Sequence, residues 1–179
     1  MNRVIVVGTT GSGKTTLATA LAQKMACPFI ELDALFWNPR WVKTPPDEFR
    51  RRVAEAIAPE RWAAGGNYGV ARDLIWQRAD TLVWLDYPLP FIMWRLFRRT
   101  MRRIFTQEEL WAGNRESIRN TFFSRDSLLL FALKSNPQQR RTWPAELQKP
   151  EYAHLRVFRF HSPRETQAWL EKITTDEHG

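Results

Sequence analysis

Cysteine is all but absent. The single one, Cys27, excludes an internal disulfide framework and leaves no cysteine cluster for zinc, so a reducing compartment, the cytoplasm, is expected. Lysine is scarce as well: 6 residues against 21 arginines, although the 27 basic residues together exceed the 19 acidic ones by 8. Arginine is a planar, permanently charged fork that grips phosphate or carboxylate through two bonds, whereas solubility is served equally well by lysine. Anionic partners are the first expectation. Long apolar runs are missing too. The opening run, Val4 to Val7, ends at a glycine and is shorter than the h-region of a signal peptide. Arginines interrupt every longer apolar segment before it nears the roughly 20 residues of a membrane-spanning helix, so no membrane contact is expected. Internal repeats, Gly/Ser linkers and low-complexity tracts are also lacking. What is present is a chain of 179 residues, 44% apolar, which is near the size of a single domain around one core.

Val4-Ile5-Val6-Val7 is a run of β-branched residues, the mark of a strand buried on both faces in a parallel sheet. It leads into Gly8-Thr9-Thr10-Gly11-Ser12-Gly13-Lys14-Thr15, followed by Thr16, which spells G-x-x-x-x-G-K-[ST], the phosphate-binding P-loop. The glycines let successive N–H groups turn toward one point, and the following helix adds its positive N-terminal end. Lys14 then places a charge on the β- and γ-phosphates, and the Thr15 hydroxyl suits Mg²⁺. Leu17, Ala18, Leu21, Ala22 and Met25 continue at helical spacing, so the order is strand, loop, helix. ATP with Mg²⁺ is the expected cofactor pair.

Further strands are expected at 28–33, 62–64, 81–86 and 154–160, and helices at 47–58, 70–78, 91–105, 124–134 and 163–173. That alternation indicates an α/β fold with a parallel sheet covered on both faces and ligands at the C-terminal strand edges. Asp33, expected at the edge of the second strand, faces the P-loop and is suited to hold Mg²⁺ or accept a proton from an attacking hydroxyl; it also reads as a helix start. Glu31 shares that edge as a second metal candidate or as solvated polar trim. Gly66 and Asn67 let a ligand approach bare backbone, or form a simple turn. Phe36, Trp37 and Trp41 suit stacking on a planar substrate or lining an apolar pocket, or serve as core or surface filler.

Eight arginines lie between 95 and 125, against Glu108, Glu109 and Glu116. Arg95, Arg99, Arg102 and Arg103 share one helix face, where a row of like charges calls for an anion. Arg115 and Arg119 repeat the i, i+4 spacing beyond Gly113. Two such segments around a mobile stretch suit a lid that closes over phosphates, excludes water and brings arginines to the transferring group.

The P-loop, Glu31-Leu32-Asp33-Ala34-Leu35-Phe36-Trp37, Gly66-Asn67-Tyr68, Leu85-Asp86-Tyr87-Pro88 and the Arg95/Arg99 pair resemble the adenylate-kinase-related proteins labelled topology modulation proteins. These fall within the nucleoside-monophosphate and shikimate kinase-like P-loop fold. The resemblance covers about residues 3 to 120 well and implies a three-layer fold with a five-stranded parallel sheet in order 2-3-1-4-5. It also implies an acceptor-side segment at about 34–61 and an Arg-rich lid at about 95–125, within one domain spanning 1–179. Carried over, Arg95 would lie against adenine, Arg99 near the phosphates, and Asp33 would match the acceptor-side carboxylate. Glu31 stands where that branch has an Asp, and Gly65 where relatives often carry a metal-binding acid. His161-Ser162-Pro163 matches, by position only, the stretch that meets the adenine edge.

The expected function is transfer of the γ-phosphoryl group from ATP to a small-molecule or nucleotide acceptor, by a monomer or homodimer. Lys14, Asp33, Arg99, Arg115 and Arg119 would be catalytic. The loop from Gly8 to Thr16 with Arg95 would hold nucleotide; Asp33, Trp37, Gly66 and Asn67 the acceptor; Thr15, Asp33 and Glu31 the metal. A nucleotide-dependent regulator that binds nucleic acid is the lesser alternative, since no helix-turn-helix, RNA-recognition or zinc motif accompanies the arginines. A catalytically weak ATP-binding protein is the third.

Overall fold

A computed structural model describes residues 1–106, 109–114 and 128–175. Strand β1 (Arg3–Gly8) is the centre of a five-stranded sheet, since its alternate residues Val4/Val6 and Ile5/Val7 are buried on opposite faces. It pairs in parallel with β5 (Trp62–Gly65) on one side and β6 (Thr81–Leu85) on the other. The short β2 (Phe29–Glu31) adds to β5, and β7 (Arg156–Phe160) adds to β6, also in parallel. The order β2-β5-β1-β6-β7 is, counted over these five strands, the expected 2-3-1-4-5.

Helices cover both faces. On one, α1 (Lys14–Lys24) brings Leu17 and Leu21, α5 (Leu89–Thr106) brings Ile92, and α7 (Pro163–Thr175) brings Leu170 against Val4, Val6 and Val83. On the other, α3 (Pro46–Ala56) supplies Phe49 and Val53, α4 (Arg72–Arg78) supplies Ile75 and Trp76, and α6 (Leu128–Leu147) supplies Trp143. Three layers result.

Two expectations need correction. The second strand ends at Glu31, and Leu32–Phe36 forms a short helix, α2, so Asp33 sits in a first helical turn rather than on a strand edge. An acidic residue is favoured there by the partial positive charge of the helix start. A small antiparallel hairpin, β3 (Trp37–Asn38) and β4 (Val42–Lys43), follows around a 3₁₀ turn at Pro39–Trp41.

The second correction concerns the helix expected at 124–134. Residues 124–127 lie outside the described residues, and the helix runs on to Leu147 through Pro137 and Pro144. The reason is tertiary. Trp143 is 1% exposed and packs against Trp76 and Trp84 with ring centroids 6.0 and 5.2 Å away. Burying an indole contributes about 4–6 kcal/mol at about 25 cal/mol per Å², comparable with the roughly 3 kcal/mol that each internal proline costs.

Candidate nucleotide and acceptor site

The C-terminal ends of β1, β2 and β5 converge on the loop from Gly8 to Lys14. Within it the Ser12 amide donates to the Thr9 carbonyl at 3.1 Å, and Lys14 Nζ donates to the same carbonyl at 3.1 Å. The loop thus curls back on itself and holds the ammonium at its mouth. Gly13 caps α1 in the left-handed region at φ 101°, where a side chain would be strained. A Cβ there would also meet the Arg95 guanidinium at 3.2 Å. Arg95 therefore lies directly on the loop, where its Nη1 donates to the Ser12 carbonyl at 3.4 Å over the face of Phe91. Arg99, one turn further along α5, is close enough to lower the Lys14 pKa electrostatically. Burial is the larger cause, and with Asp33 pulling the other way the Lys14 pKa falls from 10.5 to about 8. The loop thus gathers three cations, Lys14, Arg95 and Arg99, with one carboxylate, Asp33, acting on Lys14.

Asp33 is oriented by Tyr68, whose hydroxyl donates to Asp33 Oδ1. The Tyr68 hydroxyl is held well above its usual pKa, first by burial and then by the Asp33 and Glu31 carboxylates, so it stays a donor. Trp37 also reaches the Tyr68 hydroxyl, which it acts on through a side-chain hydrogen bond. Glu31 receives the Thr15 hydroxyl at 3.3 Å on Oε1 and the Trp111 indole N–H at 2.7 Å on Oε2. Thr15 and Glu31 therefore meet, as a hydroxyl and a carboxylate sharing a metal would, and an oxygen-only donor set suits Mg²⁺. Among the described residues no group of three or more His, Cys, Asp or Glu surrounds a metal position, so phosphate and water would have to complete its shell.

Gly66 and Asn67 are placed differently from expectation. Gly66 has φ 152°, and its bare face is filled by Leu32, so that a Cβ would lie 2.7 Å from the Leu32 Cβ. The glycine lets α2, and with it Asp33, press against the end of β5. Asn67 and Gly66 line a gap of about 10 Å³ between the sheet and α4, room for no more than a water. Gly65 has a physical reason for not being acidic: a Cβ there would press on Ala18 of α1 at 3.3 Å. Thr10 is partly buried and Thr16 exposed at the start of α1. Arg115 and Arg119 lie outside the described residues.

Several contacts in and around the site have no signal in the sequence, whether or not their residues do. Thr9, 1% exposed, bonds to Asn136 at 3.1 Å and Gln139 at 3.3 Å on α6, which ties the P-loop to the helix behind it. Asn114 is buried and clasps the hairpin, accepting from the Trp41 amide at 2.8 Å and donating to the Asn38 carbonyl at 3.0 Å. That seats Trp111 beside Glu31. Asp86, 2% exposed at the end of β6, binds Arg140 at 2.5 Å and Arg159 at 2.7 Å, with His161 at 3.5 Å. This buried carboxylate locks α6 and β7 to β6. His161 thus faces Asp86, and Glu165 accepts its backbone N–H at 2.9 Å.

The profile of the ATPase family associated with various cellular activities (AAA) matches residues 4–61, the part that holds the P-loop. A shikimate kinase of Symbiobacterium thermophilum is 31% identical over 101 residues, which is 46% of this chain and 56% of that protein. The match thus spans little more than half the length of that curated relative. Among solved structures, a shikimate kinase from Bacteroides thetaiotaomicron superposes with a TM-score of 0.56 at 18% identity, covering 99% of both chains. A gluconokinase from Sinorhizobium meliloti 1021 gives 0.53 at 18% identity, over 99% of this chain and 95% of that one. The chain has the fold of P-loop kinases.

Proposed function

We propose that this protein is an ATP-dependent phosphotransferase that moves the γ-phosphoryl group to a hydroxyl of a small-molecule acceptor. The observation that carries this reading is the meeting of Lys14 and Asp33 at one sheet edge, with Arg95 and Arg99 reaching the same loop from α5. A loop that only stored nucleotide has no use for an oriented carboxylate opposite its lysine. The kinase names of the relatives above support the same class.

The loop amides and Lys14 bind the triphosphate, and Arg99 bears on its terminal end. Asp33 is fixed by Tyr68 through one oxygen, and its other oxygen has no hydrogen-bond partner among the described residues. That oxygen takes the acceptor's hydroxyl proton. The hydroxyl oxygen's lone pair forms the new O–P bond while the bond from the γ-phosphorus to the β,γ-bridging oxygen breaks, and ADP leaves with that electron pair. Thr15 and Glu31, which already meet, would hold Mg²⁺, which when bound neutralises charge on the β- and γ-phosphates, while Asp33 is left to the acceptor. Arg115 and Arg119 are assigned to closing over the phosphates, while Arg95 on α5 and Trp111 beside Glu31 are already in place.

The test is single-turnover transfer of labelled γ-phosphate to a panel of hydroxyl compounds. Lys14→Ala should reduce transfer to every acceptor by about a hundredfold or more, the scale of one lost transition-state contact. Transfer at an unchanged rate in that variant contradicts the proposal.

A further inference from the structure

Seven arginines lie between residues 34 and 78, on the acceptor side of the site. An acceptor with a carboxylate or phosphate handle calls for one of them to face it. The structure commits six of them elsewhere, and the seventh, Arg40, lies on the exposed hairpin turn. Arg50 forks onto Asp73 at 2.7 and 2.8 Å, joining α3 to α4. Arg51 is held by Glu48 and Glu55, and Arg52 by Glu48 at 2.9 Å with Thr44 and Asn38 behind it. Arg72 engages Glu146 at 2.6 Å, while Arg61 and Arg78 donate to main-chain carbonyls.

The surface that does face the P-loop on this side has the opposite character. It carries two carboxylates, Glu31 and Asp33, and the Tyr68 hydroxyl. It also carries two partly buried indoles, Trp37 and Trp111, joined edge-to-face through Trp41 at 5.4 and 6.5 Å. Carboxylates accept hydrogen bonds from hydroxyls and repel anions, and indole faces cover the C–H side of a saturated ring.

Resting on the phosphotransfer reading above, we propose that the acceptor is an uncharged polyhydroxyl compound, a sugar or polyol. Its hydroxyls bond to Glu31 and Asp33 and its C–H face packs on Trp37 and Trp111. This departs from shikimate and gluconate, both of which carry a carboxylate. Trp111 belongs to the acceptor wall in this account, held there by its bond to Glu31 and by the Asn114 clasp.

The experiment compares matched pairs that differ only in charge, hexitols and hexoses against the corresponding aldonic acids and sugar phosphates. Two readouts are taken: kcat/KM for phosphoryl transfer, and the Tm shift each compound adds in the presence of a nonhydrolysable ATP analogue. The uncharged member should lead its pair by about tenfold or more, the range a pocket contact provides. Glu31→Gln should narrow that ratio toward the acid, a change that survives any loss of overall rate because both acceptors meet the same enzyme. Trp111→Ala should raise the acceptor KM and leave the ATP KM unchanged. The proposal is overturned if the best acceptor is an acid, or if no uncharged compound accepts phosphate or adds stability. An acid as best acceptor leaves the phosphotransfer reading standing, whereas transfer that ignores Lys14→Ala or Asp33→Asn removes it.

Discussion

Lys14 is the residue on which the site turns, and its environment makes a pH prediction. Burial disfavours the ammonium, so its pKa drops to about 8, below the 10.5 of an exposed lysine. In the free protein the positive charge is complete below that value and is lost as pH rises through it. Affinity for a nonhydrolysable ATP analogue should therefore fall above pH 8, and calorimetry on Lys14→Met should show that step removed. Stability moves the other way. Between about 8 and 10.5 the unfolded chain still binds the proton that the folded one has released, so this group's contribution to stability rises with pH. Lys14 was legible because its motif is contiguous. Trp111 and Asn136 were not, because their partners Glu31 and Thr9 lie 80 and 127 residues away in sequence and no local pattern links them.

Single elements decide how well those residues are held. The helix α6 contributes no residue to phosphate contact in this account, yet it anchors Thr9 through Asn136 and Gln139 and is itself pinned by Arg140 to Asp86. Removing the Asp86 charge leaves two half-exposed arginines facing a neutral partner. Asp86→Asn should destabilise the protein by about 2–3 kcal/mol in urea unfolding, below the cost of breaking a fully dry pair because the arginines can rehydrate. At the opposite end of the sheet edge, Gly66 allows α2 to approach β5. Gly66→Ala should displace Leu32 and with it Asp33, so transfer should slow more than ATP binding weakens, which kcat and KM measured together will separate. The sequence pattern marks the five strands of the main sheet and most helices, since apolar periodicity there is strong, but not the two-residue strands of the hairpin. It misplaced Asp33 by one element and ended α6 too early, because a one-turn helix has no period to detect and internal prolines read as a stop. Tertiary contacts override them, Trp143 packing into the core foremost.

Over the whole molecule, and among the described residues, two groups of arginine flank the site, apart from Arg140 and Arg159 on Asp86. On the acceptor side the role is structural: Arg50, Arg51, Arg52 and Arg72 pair with Asp73, Glu48, Glu55 and Glu146, most of them at partly exposed positions where solvent screens the pair. On α5, Arg95 and Arg99 turn toward the P-loop. Composition alone suggests anions everywhere; among the described residues the ion pairs take Arg50, Arg51, Arg52 and Arg72 out of that expectation. The most direct test of the account is single-turnover γ-phosphoryl transfer by Asp33→Asn, alongside its affinity for a nonhydrolysable ATP analogue. The account predicts a rate lower by about 10²–10⁴-fold, the contribution of a general base, with nucleotide affinity within about twofold of the parent, since Asp33 acts on the acceptor proton. An unchanged transfer rate would contradict it.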